Sequence, residues 1–237
     1  MTYREMPPPQ PLAGLVECLW TASGPRRSHV LPDGCMDLID MDGAVLVAGP
    51  DTKAFLSEHR CERVFGIRFR PGVLPRLLAV PAAELRDQRV ALPELRPEAA
   101  GKTVLGAAVH LLAEAPTRET APWPVAQLHA MTARLADGAA VADLARDSGW
   151  SPRTLQRQCT AVYGYGPAML RRILRFRRAM RLLGEGLPVA EAAARAGYAD
   201  QPHLYREVRE FSGVPLAQLR SGANRSTDVP SGSVTVA

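Results

Sequence analysis

Hydrophobic and polar positions follow two different periods in the two halves of this chain. From about Pro8 to Ala113 the apolar runs are short and rich in β-formers: VECLW at 16–20, HVLPDGCMDLIDMDGAVLVAGP at 29–50 and ERVFGIRFRPG at 62–72, broken by Asp-Gly turns. In the last of these Phe65, Ile67 and Phe69 alternate with Gly66, Arg68 and Arg70, which predicts a strand with one buried face. Helical segments are expected near Val73 to Val80 and Glu98 to Glu114. APTRETAPWP at 115–124 reads as a linker, after which Val125, Leu128, Met131 and Leu135 recur at helical spacing.

From there the chain says nearly the same thing twice. VADLARDSGW at 141–150 is echoed by VAEAAARAGY at 189–198, and past the turn Leu155, Arg157 and Gly164 answer Leu204, Arg206 and Gly213. Each copy is a short helix, a turn with a glycine at 149 or 197 that supplies a positive φ, and a second helix opened by a capping residue, Ser151 or Asp200. That is the sequence form of a helix-turn-helix. The second helices are predicted over about 152–162 and 201–211. Leu155 and Leu204 face inward, leaving Arg153, Thr154, Gln156, Arg157 and Thr160, then Gln201, His203, Tyr205, Arg206 and Arg209, facing out. These are side chains of the kind that read bases and phosphates. His203 and Tyr205 also fit as ordinary surface residues, but their place on a second helix favours a DNA contact.

Between the copies a helix is expected from about Pro167 to Leu183, with Leu170, Ile173 or Leu174, Met180 and Leu183 inward and Arg171, Arg172, Arg175, Arg178 and Arg181 on a basic, solvated face. At ~1.5 Å per residue it spans about 25 Å, which suits two recognition helices set one duplex turn, about 34 Å, apart.

The two units, the linker RFRRAMRLL and the closing GVPLAQLR together resemble the DNA-binding module of AraC/XylS-type transcription regulators, over roughly Val125 to Arg220. The resemblance implies base reading through Arg153, Gln156 and Arg157 in the first unit and Gln201, His203, Tyr205 and Arg206 in the second. Cys159 and Val208 stand where the family usually has Phe, and Leu170 where it often has Tyr. LPDGCMDLI, VAGP, GIRFRPG and VALPEL resemble a domain of unknown function that commonly precedes such modules. By analogy with better-known members, that domain is expected to bind a small-molecule effector or to mediate homodimerisation. Double-stranded DNA is the implied partner, with RNA polymerase a further one.

Charge divides the same way. Positions 133–222 hold 14 arginines and no lysine against 8 acids, a balance of +6, whereas positions 1–132 hold 14 basic residues against 15 acids, a balance of −1. A cationic half promotes phosphate contact and salt-dependent binding.

In the N-terminal half Asp33, Asp37, Arg68 and Arg70 are the candidate effector-binding residues, because charges among apolar strands need partners or a ligand. The ordinary alternative makes Asp33-Gly34 a hairpin turn and Arg68 and Arg70 a solvated strand face. Cys35 and Cys61, with His29 and His59, match no compact ligand spacing, and the four cysteines contain no C-x-x-C pair, so no metal or disulfide framework is indicated. They read as reduced, buried thiols. No phosphate loop, nucleophile elbow or paired-carboxylate signature occurs, and no cofactor or enzymatic activity is implied.

The expected fold is thus an α+β regulatory domain (1–114), a linker (115–124), an all-α double helix-turn-helix domain (125–220) and a disordered tail (221–237). No apolar run approaches the ~20 residues of a membrane span, and the start lacks a signal-peptide core, so a cytoplasmic, nucleoid-associated protein without a membrane partner is expected. Two other functions fit the same residues: a thiol-reactive alkyl or redox sensor joined to a DNA-binding module, and a module that has lost DNA binding and serves protein interaction.

Overall fold

A computed structural model describes residues 2–24, 26–59 and 61–223. Eight strands, β1 (Thr2–Met6), β2 (Val16–Ser23), β3 (Arg26–Val30), β4 (Met36–Met41), β5 (Ala44–Ala48), β6 (Phe55–His59), β7 (Arg63–Phe69) and β8 (Arg89–Ala91), build the first part. Six form one antiparallel sheet in the order β1-β2-β7-β4-β5-β8, and β3 pairs with β6 in a separate ribbon laid over it. Asp42 and Gly43, both at positive φ, make the tight turn from β4 to β5.

The central strand β7 differs from the one-sided strand predicted. Its Ile67 and Phe69 enter the main core, and Val64, Gly66 and Arg68 are buried too, on the face turned to the ribbon. A central antiparallel strand covered on both sides cannot show simple alternation. Gly66 is required where it stands: Trp20, its cross-strand partner, lies so close that a β-carbon would sit 2.1 Å from the indole ring.

Short helices α1 (Leu74–Leu78), α2 (Leu92–Leu95) and α3 (Val104–Leu112) close the other face. The segment predicted helical from Glu98 is not continuous. A single 3-10 turn at Pro97–Ala99 ends before Gly101 at positive φ, and Thr103 caps a fresh start by accepting from Gly106 N. Residues 115–124 carry no helix or strand, yet Thr120 and Trp123 are buried, and Trp123 stacks on Trp150 with centroids 5.3 Å apart. The segment expected as a linker is anchored by these side chains.

The second part is all-helical: α4 (Val125–Ala136), α5 (Val141–Asp147), α6 (Pro152–Tyr163), α7 (Pro167–Gly184), α8 (Val189–Ala196), α9 (Gln201–Ser212) and α10 (Leu216–Ala223). Helix α10 continues past the tail boundary drawn at 221. The remainder of that tail, 224–237, lies outside the described residues.

One hydrophobic core runs through both parts, from Leu38 and Phe69 to Leu155, Phe176 and Phe211. Gly72 marks one close approach: at φ +79 it lets the backbone turn against Val162, Leu128 and Tyr163, where a β-carbon would meet Val162 at 2.7 Å.

Candidate nucleic-acid interface and N-terminal cavity

Local chemistry builds each helix-turn-helix unit. In the first, Gly149 turns the chain at φ 66, Trp150 N donates to Ala145 O, and Ser151 Oγ accepts from Thr154 N at 3.1 Å to open α6. In the second, Gly197 turns at φ 86, Tyr198 N donates to Ala193 O, and Asp200 Oδ1 accepts from His203 N at 2.7 Å to open α9. Leu155, Cys159, Leu204 and Val208 are fully buried beneath these helices. The smaller side chains at 159 and 208 are therefore core residues in both units.

Arg153, Gln156 and Arg157 of α6 and Gln201, Tyr205 and Arg206 of α9 are exposed. Thr154 is half-buried, its hydroxyl bonded to Ser151 Oγ at 2.9 Å, so it serves the cap. His203 also turns inward. Its ring packs edge-on against Tyr198 and lies 3.5 Å from Arg175 Nη2. The eight candidates thus separate into six that face solvent and two that brace the turn.

The linker helix α7 departs from the solvated basic face expected of it. Arg172 donates to Glu207 at 2.9 Å and to Glu210 at 2.6 Å, Arg175 donates to Glu207 at 2.8 Å, and Arg181 pairs with Glu185. Arg178 lies 4.0 Å from Asp137, and Arg171 donates to Ala139 O. Arg177, absent from the predicted basic face, points into the N-terminal part and pairs with Glu17. Glu207, 2% exposed, is a residue that sequence reasoning missed. Burial alone would raise its carboxyl, but hydrogen bonds from Arg175 and Arg172 outweigh that and hold it below the ordinary glutamate value. By contrast Arg153, Arg157, Arg206 and Arg209 make no ion pair among the described residues.

The N-terminal part holds the second arrangement. Between sheet and ribbon lies a cavity of about 100 Å³ walled by Tyr3, Trp20, Met36, Ile39, Phe55 and Val64 among others. At its floor Arg68, 3% exposed, is gripped by Asp37 through Nε and Nη2, both at 3.2 Å, while Trp20 Nε1 donates to the same carboxylate. Asp33 Oδ2 stands 3.5 Å from Arg68 Nε, and Asp33 Oδ1 accepts from Cys35 N. Burial, moderated by Arg68 and reinforced by Asp37, pushes the Asp33 carboxyl up to about 6. Asp33-Gly34 joins strands of different sheets, so the hairpin reading fails, and Arg68 is not on a solvated face. Arg70 does not join the group: it donates to Ala13 O and anchors the loop before β2. Tyr3, Trp20, Asp51 and Arg89 complete the lining unforeseen, because strand pairing far apart in sequence brings them there.

The two sites share a segment. Gly49, Asp51 and Phe55 line the cavity, while Pro50 packs on Gly164 at the end of α6 and Ala54 N donates to Phe211 O at 2.6 Å, in the last turn of α9. Arg86 Nη1 also donates to Gly164 O.

The thiols of Cys18 and Cys159 are pushed up to about 12 by burial, and burial raises Cys35 further. Cys61 is only half-buried, against the buried position expected, and the neighbouring Asp42 carboxylate raises its thiol. Cys61 and His29 do not gather with Cys35 into a ligand set, and the His59 side chain lies outside the described residues. Among the described residues the carboxylates of Glu98 and Glu114 and the His110 ring come within 4.8 Å of one another, but the Arg96 guanidinium already bridges both acids. No helix among the described residues is long and apolar enough to cross a membrane.

Comparison with known proteins finds one match in each part. Residues 144–222 match the family described as a helix-turn-helix domain, and residues 4–91 match a domain of unknown function (DUF6597). No curated protein matches the chain. Similar solved structures include ToxT from Vibrio cholerae at 8% identity, covering 92% of this chain and 98% of that one with a TM-score of 0.45. Another is unsaturated fatty acid-bound wild-type ToxT from Vibrio cholerae, at 8% identity, 85% and 92% coverage and a TM-score of 0.45.

Proposed function

We propose that this chain, which carries an AraC-type helix-turn-helix domain behind a domain of unknown function, is a sequence-specific double-stranded DNA-binding transcription regulator whose N-terminal cavity takes a small effector. The observation that carries the reading is the sorting of arginines. Arg172, Arg175, Arg177 and Arg181 of α7 pair closely with acids, whereas Arg153, Arg157, Arg206 and Arg209 on the second helices are left for a partner to neutralise. A duplex supplies that partner: α6 and α9 enter successive major-groove segments, Arg153, Gln156 and Arg157 read base edges from the first, and Gln201, Tyr205 and Arg206 from the second. Thr154 and His203 hold the helix openings in place and contribute through backbone placement. The eighteen residues of α7, at ~1.5 Å each, set the two units about 27 Å apart along its axis.

On this reading the protein works in the cytoplasm on the chromosome, as a binding protein with no chemistry of its own, and meets RNA polymerase and a second copy of itself on DNA. Thiol-based sensing is disfavoured because burial keeps Cys18, Cys35 and Cys159 protonated, and a thiol is a poor nucleophile. The test is selection of bound sequences from a random duplex library at near-physiological salt, followed by Arg157→Ala. Two short blocks one helical turn apart are expected, and Arg157→Ala costs about 1–3 kcal/mol on the selected site while flattening preference at one position. Equal loss on selected and random DNA reduces Arg157 to a phosphate clamp, and no enrichment at all overturns the reading.

A further inference from the structure

We infer that the N-terminal cavity selects a small organic cation, a protonated amine on an apolar or aromatic body that also presents an oxygen acceptor; this rests on the reading of the cavity as the effector site. The size of the cavity sets the scale. At about 100 Å³, below the ~150 Å³ of apolar cavities that take up benzene, it has room for no more than one ring. Tyr3 and Trp20, with ring centroids 5.9 Å apart, and Phe55 supply aromatic wall.

The charges decide the class. An arginine at the floor of a pocket ordinarily suggests an anionic ligand, but this one is already outnumbered. Asp37 holds its Nε and Nη2 and Asp33 stands at 3.5 Å, so two carboxylates of the lining face one guanidinium, while Glu5, 3.6 Å from Arg68 and outside the lining, also interacts with Arg177. The remaining charges that face the cavity, Arg89 and Asp51, cancel in a paired contact of 2.9 and 2.6 Å. A carboxylate or phosphate entering here would add a third negative group beside one guanidinium, whereas an ammonium supplies the positive charge that is missing. Its place is beside Asp33, whose Oδ2 makes no hydrogen bond among the described residues. The Tyr3 and Trp20 rings of the lining add cation–π attraction, the Phe55 face being taken by Arg89 at 4.1 Å.

A second, independent feature points to a ligand. Arg68 Nη1 is buried and has no hydrogen-bond acceptor, since Glu5 Oε1 lies beyond bonding range. A buried donor without an acceptor is unfavourable, and a hydroxyl or carbonyl oxygen on the ligand would satisfy it.

The experiment uses the full-length protein and a matched series: benzylamine, 2-amino-1-phenylethanol, benzyl alcohol and benzoate, titrated calorimetrically at pH 7.5. Benzylamine is expected to bind at least tenfold tighter than benzyl alcohol, the amino alcohol tighter again, and benzoate weakest; Asp33→Asn is expected to bring benzylamine down to the level of benzyl alcohol. Benzoate binding as well as benzylamine, or benzylamine unaffected by Asp33→Asn, overturns the cation assignment. If benzyl alcohol and benzoate still bind and Ala22→Leu, which fills the cavity, abolishes that binding, the effector-site reading survives without the cation. Binding by none of the four overturns both. The comparison among ligands in the unmodified protein stands even if a variant fails to fold.

Discussion

Replacing Glu207 with glutamine tests whether the second unit is held by a buried charge. The side chain is buried against α7 and takes hydrogen bonds from Arg172 Nε at 2.9 Å and from Arg175 at 2.8 and 3.3 Å. Glutamine keeps the shape, but it turns one acceptor oxygen into an amide that faces a guanidinium, and it removes the charge both arginines share. Breaking a buried pair costs about 3–5 kcal/mol when the remaining charge has nowhere to go. Here Arg172 and Arg175 are partly exposed and recover water, so the expected loss is about 2–3 kcal/mol. Urea unfolding of the full-length protein at pH 7, followed by circular dichroism, measures it. The pH dependence has a defined sign. Because the folded carboxyl is held below its ordinary value of 4.5, its contribution is present above that pH and is lost as pH falls through the lower, folded value. The gap between parent and Glu207→Gln should therefore close below about pH 4.5. A loss under about 0.5 kcal/mol at pH 7, the size of an ordinary surface change, or a gap that persists undiminished at pH 3, would refute the argument.

Other perturbations carry definite expectations. Gly66→Ala drives a methyl into the Trp20 ring and should cost about 3 kcal/mol or more, read as a large drop in melting temperature; an unchanged midpoint would mean that the indole moves freely. Trp123→Ala leaves a void beside Trp150 and should cost about 3–5 kcal/mol in the same assay, whereas a loss under 1 kcal/mol would make residues 115–124 a plain tether. Asp33 titrates with the opposite sign to Glu207. Its folded value of about 6 lies above the ordinary 3.8, so the parent should lose stability relative to Asp33→Asn as pH rises from 4 to 7, and a flat difference would show that Asp33 is solvated.

The helical half was legible because its signals are local. A capping serine or aspartate, a turn glycine and an apolar stripe lie within one or two turns of each other, and the ends of α6, α7 and α9 fall within a residue or two of expectation. The sheet was not, since Asp37 and Arg68 or Trp20 and Gly66 become neighbours only through register. β6, with Phe55 and Leu56 on an exposed ribbon, offers no clean alternation, and β8 is three residues long. One signal was available and overlooked. Leu170, Leu174 and Arg177 share a helical stripe, which places Arg177 on the buried side of α7, while its neighbours Arg175 and Arg178 face elsewhere. The arginine-rich run disguised that phase, just as the familiar Asp-Gly turn disguised a buried Asp33.

The stretch from Gly49 to Phe55 removes a freedom usually granted to regulators of two parts. The ends of α6 and α9 both rest on it, so the two helices share a footing at their C-terminal ends. Cutting the chain near Pro122 therefore does not release a ready-made reader. It strips the cover from Leu128, Val162 and Tyr163, takes away the Ala54 N–H that donates to the Phe211 carbonyl of α9, and leaves the spacing between the helices to α7 alone. The half that looks accessory in sequence is the jig on which α6 and α9 are aligned.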